Sequence, residues 1–246
     1  MYVLDLFSGV GNFSLGLSRA GGFSTLAFCE IDRTCHPVLN KHFPNVPIFT
    51  DIKSLRSDQL EFNPDVICGG FPCQDLSLAG KGQGLSGDRS GLWYEYLRLI
   101  YEASPKWAII ENVSALRNRG LDEVLRGLAS IGYHARWDCV PASALGAAHQ
   151  RDRVWIVANR SSERIQGLWS QGFAQPQSLE FPFLPFGPGN RQWEVEPDVR
   201  RSLYGNASRL DGRMNTWGQR LHQIGNAVVP QIPEAIGREI NRVEAL

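Results

Sequence analysis

Short apolar runs alternate with stretches of helical periodicity through the first 160 residues of the 246-residue chain. The apolar runs predict strands near residues 2–7, 24–30, 65–69, 106–111 and 153–158, and the periodic stretches predict helices near 12–20, 33–42, 91–103 and 120–131. Strands and helices in alternation form a mostly parallel sheet with helices on both faces. The chain is therefore predicted to have an α/β fold.

The composition is that of an ordinary globular protein, with 43% hydrophobic and 20% charged residues. A chain of 246 residues can bury one large core and form a small second lobe. Lysine plus arginine and aspartate plus glutamate both number 25, so the formal charge is zero and any nucleic-acid surface must be local. Residues 151–220 hold ten arginines, no lysine and seven acids, which fits either phosphate and guanine contacts or a salt-bridged surface.

The five cysteines, at positions 29, 35, 68, 73 and 139, show neither paired spacing nor the spacing of zinc ligands. This pattern predicts no disulfide framework and no structural metal, as expected in a reducing cytoplasm. The chain begins with strand-like residues rather than a secretory leader, and no apolar run reaches the ~18 residues of a membrane span. We therefore expect a cytoplasmic protein that does not enter a membrane.

Proline, glycine and aromatic residues are frequent in the chain after Asn159. Proline and glycine at this density exclude long helices, whereas the aromatic residues argue against disorder. The sequence thus predicts a main domain over residues 1–159, a small loop-rich lobe over 160–208, and a segment over 209–246 that returns to the main domain. In this last segment, apolar residues at helical spacing from Ile232 to Val243 predict a final helix that starts near Pro230 and Pro233.

A glycine-containing loop, DLFSGVG at residues 5–11, joins the first predicted strand to the first helix. Glycines at such a turn let a ligand approach the backbone, and a carboxylate on the next strand, here Glu30, can bind both ribose hydroxyls. Dinucleotides and S-adenosylmethionine both satisfy this pattern, and a tight turn without a ligand is a third interpretation. The pyrophosphate pattern GxGxxG is incomplete because Ser14 stands at its third glycine, which favours S-adenosylmethionine.

A cysteine follows the third predicted strand, in the segment GGFPCQDLS at residues 69–77. Cys68 lies inside the apolar run and is predicted to be a core residue, whereas Cys73 lies past the carboxyl end of the strand, where open α/β sheets bind ligands. A lone cysteine is more often a buried apolar residue than a nucleophile. Here a polar, glycine-rich segment over residues 80–91 follows it, and a loop of this length in a compact domain is usually a functional lid.

Two further polar groups lie at predicted strand ends. Glu111 and Asn112 follow the apolar run that begins at Trp107, and Arg151 and Arg153 lie at the start of the strand near 153–158. Taken singly, Glu111 could cap a helix and the arginines could form a surface pair. A nucleophile, an acid and a guanidinium group at one edge of a sheet instead indicate an active site.

Eight motifs in this order resemble those of the cytosine-C5 DNA methyltransferase family. They are DLFSGVG (5–11), EID (30–32), DI (51–52), GGFPCQDLS (69–77), GLW (91–93), ENV (111–113), QRDR (150–153) and GNAVVP (225–230). The resemblance covers the chain apart from about residues 160–205, and it implies a Rossmann-like S-adenosylmethionine-dependent methyltransferase fold with a small target-recognition lobe. It also implies a monomeric enzyme acting on double-stranded DNA, and the small size is compatible with a phage or prophage enzyme.

The resemblance implies a covalent mechanism in which a cysteine attacks C6 of a cytosine that has been rotated out of the duplex. This attack makes C5 nucleophilic toward a methyl group, and Cys73 matches the cysteine of the family. Glu111 matches the acid that donates a hydrogen bond or proton to N3 of the base. The other catalytic positions that the resemblance implies orient the nucleophile, the base and the loops around them, and they are Pro72, Asn112, Arg151 and Arg153.

The resemblance also implies which residues bind S-adenosylmethionine, and it implies no metal. The glycine loop surrounds the methionine part, Glu30 binds the ribose, and Ile31 lies against the adenine face. Asp5 either meets the methionine ammonium group or supports the turn. The complete implied set is Asp5, Phe7, Ser8, Gly9, Val10, Gly11, Glu30, Ile31, Asp51, Ile52, Gly70, Leu92, Asn226, Ala227 and Val228.

The sequence departs from the family at two motif positions, and its recognition segment is short. His149 stands where the family usually has glutamine, and Ile31 stands where tryptophan is common. Action on RNA and a catalytically silent DNA-binding role are the rival functions, and transfer of another one-carbon group from a modified donor also stays open. The GFPCQ segment favours DNA over RNA, and the presence of every critical residue favours an enzyme.

Overall fold

A computed structural model of the protein describes residues 1–72, 91–145, 151–168 and 227–246. The described residues form the strands β1 (Tyr2–Leu6), β2 (Ser24–Cys29), β3 (Ile48–Phe49), β4 (Val66–Gly70), β5 (Trp107–Val113), β6 (His134–Pro141) and β7 (Asp152–Asn159). They also form the helices α1 (Asn12–Ala20), α2 (His36–His42), α3 (Gly91–Ala103), α4 (Leu116–Arg119), α5 (Leu121–Ser130), α6 (Ser162–Gly167) and α7 (Gln231–Glu244). Short 3-10 turns lie at Ser57–Gln59 and Ala142–Leu145.

The seven strands make one sheet in the order β3-β2-β1-β4-β5-β7-β6. Neighbours from β3 through β5 pair in parallel, whereas β7 runs antiparallel to both β5 and β6. The predicted α/β fold and all five predicted strands are confirmed. Strands β3 and β6 were not predicted, because β3 has two residues and β6 is an edge strand with the polar sequence HARWDCVP instead of an apolar run.

Alternate residues of each central strand enter two separate apolar cores, as the two-residue period of a strand requires. On one face, Leu4, Ile67 and Ile110 pack with the buried stripe of α3, which includes Trp93 and Ile100. On the other face, the alternate strand residues Val3, Val66, Cys68 and Ile109 pack with α1 and α7. The core position predicted for Cys68 is confirmed, since its side chain is fully buried.

The predicted final helix is confirmed as α7, which packs on α1 at the beginning of the chain. Its buried residues Ile232, Ile236 and Ile240 follow the helical period that the sequence shows. At its far end the Glu244 carboxylate accepts a hydrogen bond from Trp107 Nε1 at 3.0 Å. The last helix is thereby fixed to the central strand β5.

The first residues of the predicted lobe pack against the main domain, where α6 contacts β7 and buries Ile165. The rest of that lobe lies outside the described residues, so the division of the chain into three parts stays a prediction. In the described ranges no helix is long and apolar enough to cross a membrane.

Candidate active site

A cavity of about 530 Å³ opens where the carboxyl ends of the parallel strands meet the start of α1. This position is where open α/β sheets bind ligands. The cavity is lined by these residues that the sequence singled out: Asp5, Phe7, Ser8, Gly9, Val10, Glu30, Ile31, Gly70, Pro72, Glu111, Asn112, Arg151, Arg153, Ala227 and Val228. The structure therefore brings these fifteen predicted residues to one place.

Four predicted cofactor residues are described but do not line this cavity. Gly11 faces the side chains of Leu39 and Phe43 instead, and Ile52 is a core residue with 4% of its surface exposed. The Asp51 carboxylate accepts a hydrogen bond from the Lys53 N–H at 2.9 Å within its own turn. Leu92 packs against the apolar core. The predictions for Cys73 and Asn226 lie outside the described residues.

The Glu30 carboxylate is held at the cavity by two backbone N–H groups. Gly9 N donates to Oε2 at 2.6 Å and Asp32 N donates to Oε1 at 2.7 Å. A carboxylate offers about four acceptor positions, so this carboxylate keeps acceptor capacity for hydroxyl groups of a ligand. Beside it the apolar side chain of Ile31 is 74% exposed at the cavity wall, where it can cover the face of a flat ring.

Asp5 is fully buried beneath the glycine loop, and only one of its oxygens is satisfied. Oδ2 accepts hydrogen bonds from Ser14 Oγ at 2.6 Å and from Ser14 N at 3.3 Å. Oδ1 has no hydrogen-bond partner in the described part of the chain. Burial raises the pKa of Asp5 to about 7, although the hydrogen bonds from Ser14 oppose the shift. Ser14, which stands in place of the third glycine, therefore serves Asp5 through its hydroxyl group.

Glu111 and Arg153 form an ion pair at the opposite wall, with 2.9 Å between Oε1 and Nε. The antiparallel register of β5 and β7 sets Val113 opposite Arg153, which makes Glu111 and Arg153 diagonal neighbours on one face. Gly70 leaves room for this carboxylate, since a Cβ atom there would lie 2.5 Å from Glu111 Oε2. Burial raises the pKa of Glu111 above its ordinary value, although Arg153 and Arg151 oppose the shift.

Asn112 holds the segment that leads to the predicted nucleophile. Its Nδ2 donates a hydrogen bond to the Phe71 carbonyl at 3.0 Å, and its Oδ1 accepts one from the Val113 N–H at 2.8 Å. The longer-range bond fixes Phe71, the residue after β4, at the start of the proline–cysteine segment. Phe71 is buried against Trp93, with 5.5 Å between the ring centroids.

The segment at residues 227–230 closes the cavity from the far end of the chain. Arg151 Nη2 donates to the Ala227 carbonyl at 2.8 Å, and Asn12 Nδ2 donates to the Val228 carbonyl at 2.9 Å. Burial and the neighbouring charge of Arg153 lower the pKa of Arg151 below its ordinary value. The backbone φ is 35° at Arg151 and 52° at Phe7. Residues other than glycine rarely adopt positive φ values.

Several cavity residues were not singled out from the sequence: Asn12, Phe13, Asp32, Cys35, Val113, Ala115 and Arg119. Asn12 and Phe13 follow the glycine loop, and Asp32 and Val113 are the last residues of the EID and ENV motifs. A place in or beside a motif was thus an available signal for these four residues, but nothing local marks Cys35, Ala115 and Arg119. The described residues contain no group of three or more side chains placed to hold a metal ion.

The family model for C-5 cytosine-specific DNA methylases matches residues 1–211. The chain belongs to this family. It is 35% identical over 184 residues to Type II methyltransferase M2.BsuMI of Bacillus subtilis (strain 168), a match that covers 72% of this chain and 46% of the relative. It is 30% identical over 214 residues to Type II methyltransferase M.AquIA of Picosynechococcus, with 79% of this chain and 80% of the relative covered. The chain spans about half the length of the first curated relatives it matches.

Solved structures show the same fold. A candidate DNA modification methyltransferase from an Escherichia coli prophage aligns with a TM-score of 0.53 and 29% identity, over 67% of this chain and 48% of that protein. The Dnmt2 methyltransferase of S. pombe aligns with a TM-score of 0.59 and 14% identity, over 100% of this chain and 96% of that protein. The predicted Rossmann-like fold of S-adenosylmethionine-dependent methyltransferases is therefore confirmed, as is the predicted family.

Proposed function

We propose that this chain transfers a methyl group from S-adenosylmethionine to C5 of a cytosine in double-stranded DNA. The observation that carries the proposal is the half-buried Glu111–Arg153 pair, which shares one cavity with the glycine loop and with Pro72, the residue before Cys73. An acid, a guanidinium group and a cofactor loop are the groups that this chemistry requires. The names of the relatives, which are Type II methyltransferases, support DNA rather than RNA as the substrate.

The described residues fit S-adenosylmethionine. The cavity volume lies within the range of about 300–1,000 Å³ that is usual for pockets of small ligands. The unpaired, buried Oδ1 of Asp5 suits the ammonium group of the methionine part, and the Glu30 carboxylate suits the ribose hydroxyls. The exposed Ile31 suits the adenine face. When bound, the cofactor would supply an electrophilic methyl group. Contacts to Asp51, Ile52, Leu92 and Asn226 remain part of the proposal.

The protein residues would activate the cytosine by covalent catalysis. We infer that the Cys73 thiolate adds to C6, that N3 takes a proton from Glu111, and that C5 thereby becomes the nucleophilic carbon of an enamine. The raised pKa of Glu111 supports this role, because burial favours the protonated form that can donate. After C5 has received the methyl group, its own proton passes to solvent and the bond between Sγ and C6 breaks. N3 then returns its proton to Glu111 and the thiolate is restored.

Arg153 would hold both the acid and the base in this arrangement. Its Nε contacts Glu111 at 2.9 Å and its Nη1 donates to the Asp152 carbonyl at 2.9 Å, so the guanidinium group is held at the cavity wall. C6 of a stacked cytosine is inaccessible, so the base would have to leave the duplex at a cost of a few kcal/mol. Sequence recognition by the lobe at 160–208 and action as a monomer belong to the same proposal.

Duplex DNA that contains 5-fluorocytosine provides the test. With S-adenosylmethionine present, the protein should become covalently attached to the DNA, because fluorine at C5 cannot leave as a proton and the bond to C6 then persists. Mass spectrometry of the peptides should place the adduct on Cys73, and Cys73→Ala should abolish it. Cys139→Ala is the matched control and should still be trapped, since Cys139 lies on the edge strand β6. An adduct at another cysteine, or none, would refute the mechanism.

A further inference from the structure

The wall of the cavity formed by Ala227 and Val228 is attached to the rest of the molecule by two side chains from separate elements. Asn12, the first residue of α1, donates its amide hydrogen to the Val228 carbonyl at 2.9 Å. Arg151, just before β7, donates to the preceding carbonyl, that of Ala227, at 2.8 Å. These bonds join residues that are 216 and 76 positions apart in the sequence. Neither Ala227 nor Val228 belongs to a helix or strand, and besides the packing of Val228 against the core of α1 and α7 these two bonds hold their backbone.

Asn12 is well placed to act as an anchor. It follows the glycine loop directly and belongs to a helix whose next residue, Phe13, is buried against Trp155 with 5.5 Å between the ring centroids. The backbone that carries the Asn12 side chain is therefore held in place by the packing of α1. The side chain also lines the cavity itself, together with the residues that it holds.

We propose that Asn12 is a positioning residue for the cofactor, acting through its hydrogen bond to the Val228 carbonyl. The bond keeps Ala227 and Val228 at the wall of the cavity that the glycine loop also lines. This inference rests on the proposed function, because it takes the cavity to be the S-adenosylmethionine site. The bond from Arg151 to Ala227 connects the same segment to the Glu111–Arg153 pair, so one segment of backbone borders both the cofactor and the base.

The chain provides a matched control in Asn241 on α7. Its Nδ2 donates to the carbonyls of Gly21, at 2.8 Å, and of Ala20, at 3.4 Å. This asparagine makes the same kind of amide-to-carbonyl bond where α7 packs on α1, but at the end of α1 that lies away from the cavity. If Asn12 acted only by stabilising the packing of α1 on α7, loss of Asn241 would have the same effect on ligand binding.

The experiment is calorimetric titration of the full chain with S-adenosylhomocysteine, for the wild type and for Asn12→Ala, Asn12→Asp and Asn241→Ala. Aspartate suits the first turn of a helix, where the helix dipole favours negative charge, so Asn12→Asp should keep α1 intact while removing the donor. Both Asn12 variants should raise the Kd about tenfold, the effect of losing one hydrogen bond of ordinary strength. Asn241→Ala should change the Kd less than twofold while lowering the thermal midpoint as much as Asn12→Ala does.

Wild-type affinity in both Asn12 variants would overturn the inference while leaving the proposed function intact, and so would an equal loss in Asn241→Ala. A wild-type chain that does not bind S-adenosylhomocysteine would instead refute the proposed function and the inference with it. Hydrogen exchange on the wild type tests the inference even where a variant does not fold. The amides of residues 227–232 should be protected by the ligand together with those of residues 9–12, and unchanged exchange at 227–232 would overturn it.

Discussion

Asp5 and Glu111 are carboxyl groups on the wall of one cavity, the first fully buried and the second half-buried, and their neighbours differ. Burial raises the pKa of both groups. Glu111 faces the guanidinium groups of Arg153 and Arg151, whereas the hydrogen bonds to Asp5 come from the neutral groups of Ser14. Carboxyl groups in different environments can take different protonation states at one pH. The guanidinium groups hold Glu111 at the cavity wall, whereas the unpaired Oδ1 of Asp5 suits an ammonium group.

The pKa of Asp5 predicts how cofactor affinity depends on pH. Because that pKa is raised to about 7, the free protein carries a carboxylate above this pH and a neutral acid below it. If Asp5 accepts the ammonium group, affinity for S-adenosylhomocysteine should be constant above about pH 7. It should weaken by up to about tenfold for each pH unit below that value, because binding then requires loss of a proton.

Calorimetric titrations from about pH 5.5 to about pH 8.5, a range on both sides of the pKa of Asp5, would check this dependence. Asp5→Asn should bind S-adenosylhomocysteine weakly and with little pH dependence. Asp65→Asn, in which the changed carboxylate lies at the opposite end of the strands beside Lys106, should bind like the wild type. A pH profile that is the same for Asp5→Asn and the wild type would exclude the ammonium-binding role.

At the scale of elements, the contact between α1 and α7 decides where the cavity closes. Gly16 on α1 lies directly against the start of α7, because a Cβ atom there would overlap the Pro230 carbonyl oxygen and lie 3.0 Å from Glu234 N. Both neighbours are backbone atoms, which cannot move aside as a flexible side chain can. The absence of a side chain at Gly16 therefore sets the position of α7, and with it that of Ala227 and Val228.

Gly16→Ala should force α7 away from α1 and should act on both stability and ligand binding. We expect a loss of about 1–3 kcal/mol in the free energy of unfolding, as overpacking of a close contact usually costs, and weaker binding of S-adenosylhomocysteine. Urea denaturation and calorimetry would measure the two effects. Gly167→Ala is the control, because a Cβ atom there would make an ordinary contact of 3.6 Å with Val243. Unchanged stability of Gly16→Ala would contradict the packing argument.

At the scale of the whole molecule, the cavity is assembled from the beginning, the middle and the end of the chain. The glycine loop comes from residues 5–11, the acid and arginines come from 111–153, and the closing wall comes from 227–228. A ligand in such a cavity contacts parts that separate when the protein unfolds. Binding should therefore stabilise the folded chain as a unit.

S-adenosylhomocysteine at about 100 times its Kd should add about 2.7 kcal/mol to the free energy of unfolding. For a chain of this length the corresponding rise in thermal midpoint is about 5–10 °C, which differential scanning calorimetry would detect. NAD⁺ at the same concentration should produce no rise, because the glycine loop lacks the third glycine of the pyrophosphate pattern. A rise with NAD⁺ and none with S-adenosylhomocysteine would assign the cavity to dinucleotides.

Features that depend on neighbouring residues could be predicted from the amino-acid sequence. Apolar periodicity predicted the strands and helices, and strand polarity predicted that Gly9, Glu30 and Glu111 reach one edge of the sheet, because parallel strands align their carboxyl ends. These inferences need only local patterns and one rule of topology. For the same reason the two-residue strand β3 and the polar strand β6 were missed.

Which side chains contact one another at that edge depends on the packing of the folded chain. The diagonal pairing of Glu111 with Arg153 depends on the register of an antiparallel strand pair, which no local pattern specifies. The bond from Asn12 to Val228 joins residues 216 positions apart and depends on how closely α7 approaches α1. Contacts of this kind follow from the packing of whole helices and strands. A single sequence shows which residues are present but not which of them are in contact.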